Sequence, residues 1–515
     1  MWVMEIFSYT IVDVVVLLVT IVVLIRLYIH RQWQVLNKLN IPHTPPTISG
    51  FGNLGELKKD PDSIFIGDLK KKKIFGKVYG SYNGLRAAVT VHDPEILKQI
   101  FIKEFPIFSE RIRSFAKING KELNDGLNVV KGKKWKRIRN TLSPSFSASK
   151  LKDMLGIMEH CSNTLVKNLK RFAQKDEGRF DTKEMLGRFS LDVVCAAAFG
   201  TDAHTQEYED GNPPKIVQVA QKTFNSTLIG SPIFILVFMF PWVEHILKFF
   251  NYSIFPTEVV KYFSSLVDVL LKRRKAGETT SRIDIMQMML KSQISESEAV
   301  HGAHTGLTQN EIVGNSMILM LAGYETTANT LIFLCYNLAT HKDAQRKSQK
   351  EIDDILREHG SMTYEAVNKL KFLTQCINET LRLYGPIPRN ARYCNKDIKI
   401  NGVQFLKDME VIVPVYSLNH DEEFWDEPYQ FRPERMEDMT KIDPIMFQPF
   451  GAGPRNCIGL RFAITEMKVV MFQLLKEFDI DVCHDTPSPP LELKCTSNMR
   501  PKEKIFLKVS PRKSA

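Results

Sequence analysis

"PFGAGPRNCIGLRF" (Pro449–Phe462) decides the reading of this chain. One cysteine, Cys457, is fenced by glycines at 451, 453 and 459, with Arg455 two residues before it and helix-forming residues directly after. A structural cysteine does not need those glycines. A nucleophilic cysteine wants a histidine base, and no thiol-hydrolase signature accompanies this one. Zinc would want further Cys or His ligands at regular spacing, and these are absent. A metal-ligating thiolate fits better. Glycines let the backbone pass close to a flat cofactor, and the helix "IGLRFAITEMKVVMFQLL" that follows points its N-terminal amides at the sulfur. That dipole is expected to lower the thiol pKa.

The chain has 515 residues, 44% of them hydrophobic, enough to bury a large core. A length prior of about 150 residues per domain suggests roughly three domains. No composition shift marks a boundary in the body, so one large domain is expected. Net charge is +11 and the pI is near 9.0, which suits nucleic acid, a membrane surface or an acidic protein partner. No zinc-finger spacing or basic–aromatic repeat supports nucleic acid. The eight cysteines show no close pairing, and several sit in apolar helical runs, as Cys195 does in "LDVVCAAAFG". That usage points to a reducing compartment without a disulfide framework.

"IVDVVVLLVTIVVLIRLYI" (Ile11–Ile29) is about 19 residues, or roughly 28 Å as a helix, close to the hydrocarbon thickness of a bilayer. A signal peptide would start basic, whereas Glu5 precedes this run. Arg26 sits near its end and His30, Arg31 and Lys38 follow it, so residues 1–30 read as a membrane anchor that leaves the body in the cytosol. Pro42, Pro45 and Pro46 then mark residues 31–52 as an extended hinge, with residues 53–515 as the catalytic domain. In that body, "VYGSYNGLRAAVTV" (Val78–Val91) carries the Asn83-Gly84 signal of a hairpin, and a second sheet-like patch covers Asp397–Val415. Thr308 and Glu311 form a capping box that opens a helix of about 33 residues, long enough to cross the whole domain. Lys291–Gly306 is expected to be a loop, and the interrupted apolar stretch Ser231–Pro256 either core or a lid whose aromatics meet a membrane. Mostly helix with small β-sheets is the expected fold class.

A lone thiolate is sufficient for haem iron. Phe450-x-x-Gly453-x-Arg455-x-Cys457-x-Gly459 resembles the haem-binding loop of the cytochrome P450 family; five fixed positions match by chance at roughly one start in a million. "LAGYETTANT" resembles the family's oxygen-activating segment, with Ala322, Thr326 and Asn329 on one helical face. Gly323 there marks close packing or a widened turn, which in the family forms the oxygen groove. Glu379-x-x-Arg382 with Arg435 in "FRPERM" resembles the family's buried structural network, and Trp135-x-x-x-Arg139 its propionate-binding helix. The resemblance covers essentially the whole chain and is closest to the microsomal animal branch of drug- and steroid-oxidising enzymes that includes thromboxane synthase.

The resemblance implies a cytochrome P450 fold with a single N-terminal transmembrane helix in the endoplasmic reticulum membrane, the catalytic domain facing the cytosol. It implies haem b with Cys457 as axial thiolate and metal ligand. Arg455, Arg139, Arg392 and Arg111 are the candidate partners of the haem propionates, with Trp135 donating a hydrogen bond. Phe450, Gly453, Gly459 and Ala322 would complete the pocket. Thr326 would handle bound dioxygen and Glu325 would relay protons while one oxygen atom enters a lipophilic substrate. Electrons would come from NADPH–cytochrome P450 reductase, with cytochrome b5 as a second donor, docking on basic clusters at 131–139 and 70–73. Substrate choice would fall to the loop 107–130, the lid, residues 317–322 and 386–391, and the C-terminal loop 496–499. A haem-thiolate isomerase acting on a peroxide, and a membrane haem or ligand carrier without turnover, are the alternatives. The intact Glu325–Thr326 pair argues against both.

Overall fold

In the computed structural model the described residues are 2–47, 51–53, 63–111, 123–175, 177–207, 213–225, 256–277, 284–495 and 498–512, with scattered positions between 233 and 252. Gly50, much of the 107–130 loop, part of the lid and Thr496 lie outside them. The Gln309–Thr340 helix runs through the middle of the molecule and is buried along most of its length. Its start is as the capping box requires: the Thr308 N–H donates to Glu311 Oε2 at 2.9 Å. Glu311 also takes a two-pronged bond from Arg137 at 2.8 and 2.6 Å, which ties the Gly132–Leu142 helix to this N-terminus. Around the central helix pack Ala148–Lys175, Thr182–Phe199, Lys371–Tyr384 and Leu460–Glu477, whose apolar faces form one large core.

A second core lies under a four-stranded sheet in the order Val78–Asn83, Arg86–Val91, Glu410–Val413, Asn390–Tyr393. The first two strands form the expected hairpin, Asn83 pairing with Arg86 across a turn in which Gly84 has φ +65°. A left-handed residue is what a two-residue hairpin turn demands, and glycine takes it without strain. Arg86–Val91 and Glu410–Val413 run parallel, the other pairs antiparallel. The C-terminal sheet joins Arg179–Asp181, Phe506–Pro511 and Phe478–Val482.

Two expectations change. Within the supposed loop 291–306, Glu296–Val300 is a short helix with its own capping box, the Ser295 and Glu298 side chains exchanging bonds with each other's backbone. Ser-x-x-Glu was the readable signal for it. The proline-rich connector is docked on the hairpin: Gly80 N–H donates to Pro42 O at 2.7 Å and Thr44 N–H to Gly80 O at 3.1 Å. Trp33 Nε1 also reaches Gly84 O at 3.1 Å, so the end of the Trp2–Trp33 helix is attached to the sheet. Side chains from Val12 to Tyr28 on that helix are exposed, and the Val12–Lys38 stretch is long and apolar enough to cross a membrane. None of the eight cysteines is in a disulfide, as their spacing suggested.

Candidate functional site

The loop from Gln448 to Gly459 straddles the two cores: Phe450 and Ile458 pack on the helical core, Ala452 on the sheet core. Its bends are set by Gly451 and Gly453, at φ +75° and +71°. A Cβ at Gly453 would stand 2.2 Å from the carbonyl oxygen of Phe101, so the loop sits directly on the neighbouring backbone. At Gly459 an added Cβ meets only Phe146, at 3.8 Å; protein packing does not require glycine there, whereas a flat group over the sulfur would. Cys457 N–H donates to Phe450 O at 2.8 Å, closing the loop ahead of the Leu460–Glu477 helix.

The Cys457 thiol opens into an internal cavity beside the central helix. Phe146, Val194, Leu319, Ala322, Thr326 and Phe462 are among the side chains lining it, with Gly323 and Gly459 at its wall. Cys457 and Thr326, 131 positions apart in sequence, are thus brought into one largely apolar chamber. The dipole expectation needs correcting. The Cys457 side chain is exposed to the cavity, yet the protein packed around that opening pushes its thiol up, against the pull of the Gly459 N–H, Arg111 and Arg139. Metal ligation would remove that proton outright.

Around this loop the four candidate arginines are not equivalent. Arg139 forks onto the loop itself, Nη1 to Asn456 O and Nη2 to Asn456 Oδ1, both at 2.8 Å. The acceptor that meets the Arg139 fork is thus Asn456, a residue with no sequence signal. Arg455 donates to Val130 O at 2.7 Å and to Leu127 O at 3.3 Å, with its guanidinium 4.5 Å over the ring of Trp135. Arg111 donates to the carbonyl of Arg455. Arg392, fully buried, makes only local bonds to Asn390 Oδ1 and Ala391 O and lies 4.8 Å over the Phe101 ring. Among the described residues, four guanidinium nitrogens of these arginines are buried without a hydrogen-bond partner: Arg111 Nε, Arg392 Nε and Nη2, and Arg455 Nε. Burial, then mutual repulsion, pushes Arg392 well below the usual guanidinium range and Arg455 down to about 9; burial takes Arg111 down to about 10. Buried cations with unmet donors call for an anion. A haem with two propionates beside a cysteine thiolate fits this donor set.

On the distal side the central helix is α-helical without interruption. Gly323 serves close packing rather than a widened turn, since a Cβ there would stand 2.7 Å from Val194 Cγ2. Thr326 Oγ1 donates to Ala322 O at 2.7 Å, an ordinary bond to the preceding turn. Glu325 points away from Thr326, toward the Met499–Pro501 strand, with Arg500 at 4.0 Å and Asn498 at 3.5 Å. Burial pushes its carboxyl up to about 7, although Lys183, Arg500 and Asn498 pull it down. Asn329, placed by its spacing on the face of Ala322 and Thr326, instead donates to Met499 O at 3.4 Å.

The Glu379–Arg382–Arg435 network forms as expected. Arg382 forks onto Glu379 at 2.9 and 2.8 Å and Arg435 Nε donates to Glu379 Oε1 at 3.0 Å. The basic clusters are less free than their sequence suggests: Lys72 pairs with Asp421 and Glu423, Lys131 with Glu110, and Lys134 with Asp125. Lys133 and Lys136 remain exposed. On the lid, Trp242, Phe249 and Phe250 are exposed; Phe238 lies outside the described side chains.

The Cytochrome P450 family model matches residues 42–509. Cytochrome P450 3A27 of Oncorhynchus mykiss is 37% identical over 503 residues, 97% of this chain and 94% of the relative. Cytochrome P450 3A5 of Homo sapiens is 35% identical over 498 residues, 96% of each chain. Cytochrome P450 3A56 of Fundulus heteroclitus is 36% identical over 498 residues, 96% of this chain and 97% of the relative. A thiol loop, buried arginines that want an anion, and full-length similarity converge: the chain belongs to the cytochrome P450 family and is a haem-thiolate monooxygenase of lipophilic substrates.

Proposed function

We propose that Cys457 is the axial ligand of the haem and that Arg392, Arg455 and Arg111 receive its propionates. The four unmet guanidinium nitrogens beside the thiol loop carry this reading. Trp135 supports Arg455 from beneath, and Arg139 holds the ligand loop through Asn456. Phe450, Gly453 and Gly459 shape the loop, and Ala322 lines the opposite wall. The haem, when bound, supplies the activation of dioxygen. Thr326 presents its hydroxyl at the cavity, and Glu325, with a carboxyl that changes charge near neutrality, stores a proton one residue away. The apolar wall of the chamber excludes water and favours a lipophilic substrate.

Electrons reach the site from NADPH–cytochrome P450 reductase, and secondarily cytochrome b5, at the face bearing Lys133 and Lys136. The exposed apolar helix anchors the chain in the endoplasmic reticulum membrane, single-pass, with Arg31 and Lys38 on the cytosolic side. The carbon monoxide spectrum of the reduced protein tests the ligand. The native chain is expected to show the far-red Soret band of thiolate ligation and Cys457→Ser to lose it; an unchanged band in Cys457→Ser would overturn the assignment. For docking, Lys133→Glu with Lys136→Glu is expected to raise the KM for reductase several-fold while leaving the carbon monoxide spectrum unchanged.

A further inference from the structure

Phe101 touches both halves of the haem site, yet no sequence motif of that site includes it. The short helix Pro94–Lys98 begins on an Asp93 cap, Asp93 Oδ1 accepting from Ile96 N–H at 2.9 Å. It runs on into one wide turn, Gln99–Lys103, closed by Glu104 N–H donating to Gln99 O, five residues back, at 2.7 Å. Such turns add a residue to a helix and are frequent at functional sites. Phe101 lies at the centre of this one and is fully buried in the core under the four-stranded sheet.

Its backbone and its ring meet different partners. The backbone seats the thiol loop, since a Cβ at Gly453 would stand 2.2 Å from Phe101 O and 3.6 Å from Phe101 Cβ. The ring lies under Arg392, whose guanidinium carbon is 4.8 Å from the ring centroid. Arg392 Nη1 bonds only within its own strand, to Asn390 Oδ1 and Ala391 O, while Arg111 and Arg455 repel the cation. The Phe101 face attracts it from outside that strand, because the π-cloud of a desolvated ring draws a guanidinium. A ring face supplies no oxygen acceptor, and Nε and Nη2 stay open. Arg455 is backed in the same way by Trp135, at 4.5 Å.

We propose that Phe101 is a positioning residue of the haem site: its ring holds the Arg392 guanidinium against the repulsion of Arg111 and Arg455, with Nε and Nη2 open to a propionate, while its backbone keeps that ring in register with the Cys457 loop. An arginine already held in place loses little further freedom when the propionate arrives, so the ring contributes to haem affinity without touching the haem. This rests on the propionate role proposed for Arg392, and Arg392→Met tests that role separately.

Fluorine withdraws charge from a ring face at nearly constant shape, which separates attraction from packing. The experiment places mono-, di- and trifluorophenylalanine at position 101 of the full chain, beside Phe101→Leu, Arg392→Met and the double variant. Haem affinity is read by titrating the haem-free protein, and the propionate bending band by resonance Raman spectroscopy of the holoenzyme. Affinity is expected to fall stepwise with fluorination, several-fold by the trifluoro ring. The propionate band is expected to shift in the same order while the far-red carbon monoxide band stays unchanged. Phe101→Leu is expected to cost at least as much affinity as the trifluoro ring, shrinking to about twofold where Arg392 is already Met. The proposal is overturned if the fluorinated series matches wild type in affinity and propionate band, or if Phe101→Leu costs the same with and without Arg392. Loss of the carbon monoxide band along the series would also overturn it, because the ring would then be holding the thiol loop instead. If Arg392→Met keeps both affinity and band, the propionate role of Arg392 fails and takes this proposal with it.

Discussion

Arg382 and Arg392 are both fully buried, and each lies over an aromatic ring, Trp425 at 5.1 Å and Phe101 at 4.8 Å. They differ in what completes them. Arg382 reaches both oxygens of Glu379 and the carbonyls of Asn419, Pro428 and Gln430. Arg392 has two nitrogens with no acceptor and neighbours of its own sign in Arg111 and Arg455. Burial of a charge therefore does not separate scaffold from site. Completion does: the network finished by the protein holds the fold, and the unfinished one is built for an anion that the chain does not encode.

The comparison breaks first at Arg382. Its replacement by alanine strips buried Glu379 of its two-pronged partner and leaves it only Arg435 Nε and the Arg432 N–H, both on Oε1, which costs about 3–5 kcal/mol. Folded protein should then fail to accumulate, as read by yield and by urea unfolding of what remains.

Glu325 is a buried acid whose partners are long rather than missing, Asn498 at 3.5 Å and Arg500 at 4.0 Å. Its folded-state carboxyl is raised to about 7 from an ordinary value of 4.5. The folded state thus holds a proton that the unfolded chain gives up. Its stabilising effect is complete below the unfolded value and is lost as pH rises through about 7. The change amounts to about 3 kcal/mol, which Glu325→Gln should abolish in urea melts run at pH 4 and pH 8.

Arg392→Met sharpens the contrast because its two effects have opposite signs. Removing a buried cation without an acceptor should raise the stability of the haem-free protein by about 1–3 kcal/mol, seen as a higher Tm. Haem titration of the same variant should show affinity lowered roughly tenfold or more. The smallest effect belongs to Arg435→Lys. It keeps the charge at the half-open edge of the Glu379 network but loses the fork, and should cost about 1 kcal/mol in a urea melt.

What could be read in advance follows from the range of the interaction. The Asn83-Gly84 turn, the Thr308–Glu311 capping box and the Glu379–Arg382 pair are settled within four residues of sequence, and all three formed. Ser295 and Glu298 carried the same kind of signal inside a segment whose polarity made it look like a loop. Partners far apart in sequence were not legible. Nothing near Arg139 announces Asn456, and nothing near Lys72 announces Asp421. Glu325 could be placed on the central helix but not aimed, because Arg500 and Asn498 arrive from the far end of the chain.

The fork from Arg139 to Asn456 and the seat of Gly453 on Phe101 act on the residues immediately around Cys457. Both are contacts of protein with protein, one from each side of the loop. The sulfur is thereby located by folding, with its conformational entropy already spent before any iron arrives. Haem uptake should then behave as entry into a prepared berth, its rate governed by access and its affinity little taxed by ordering of the loop.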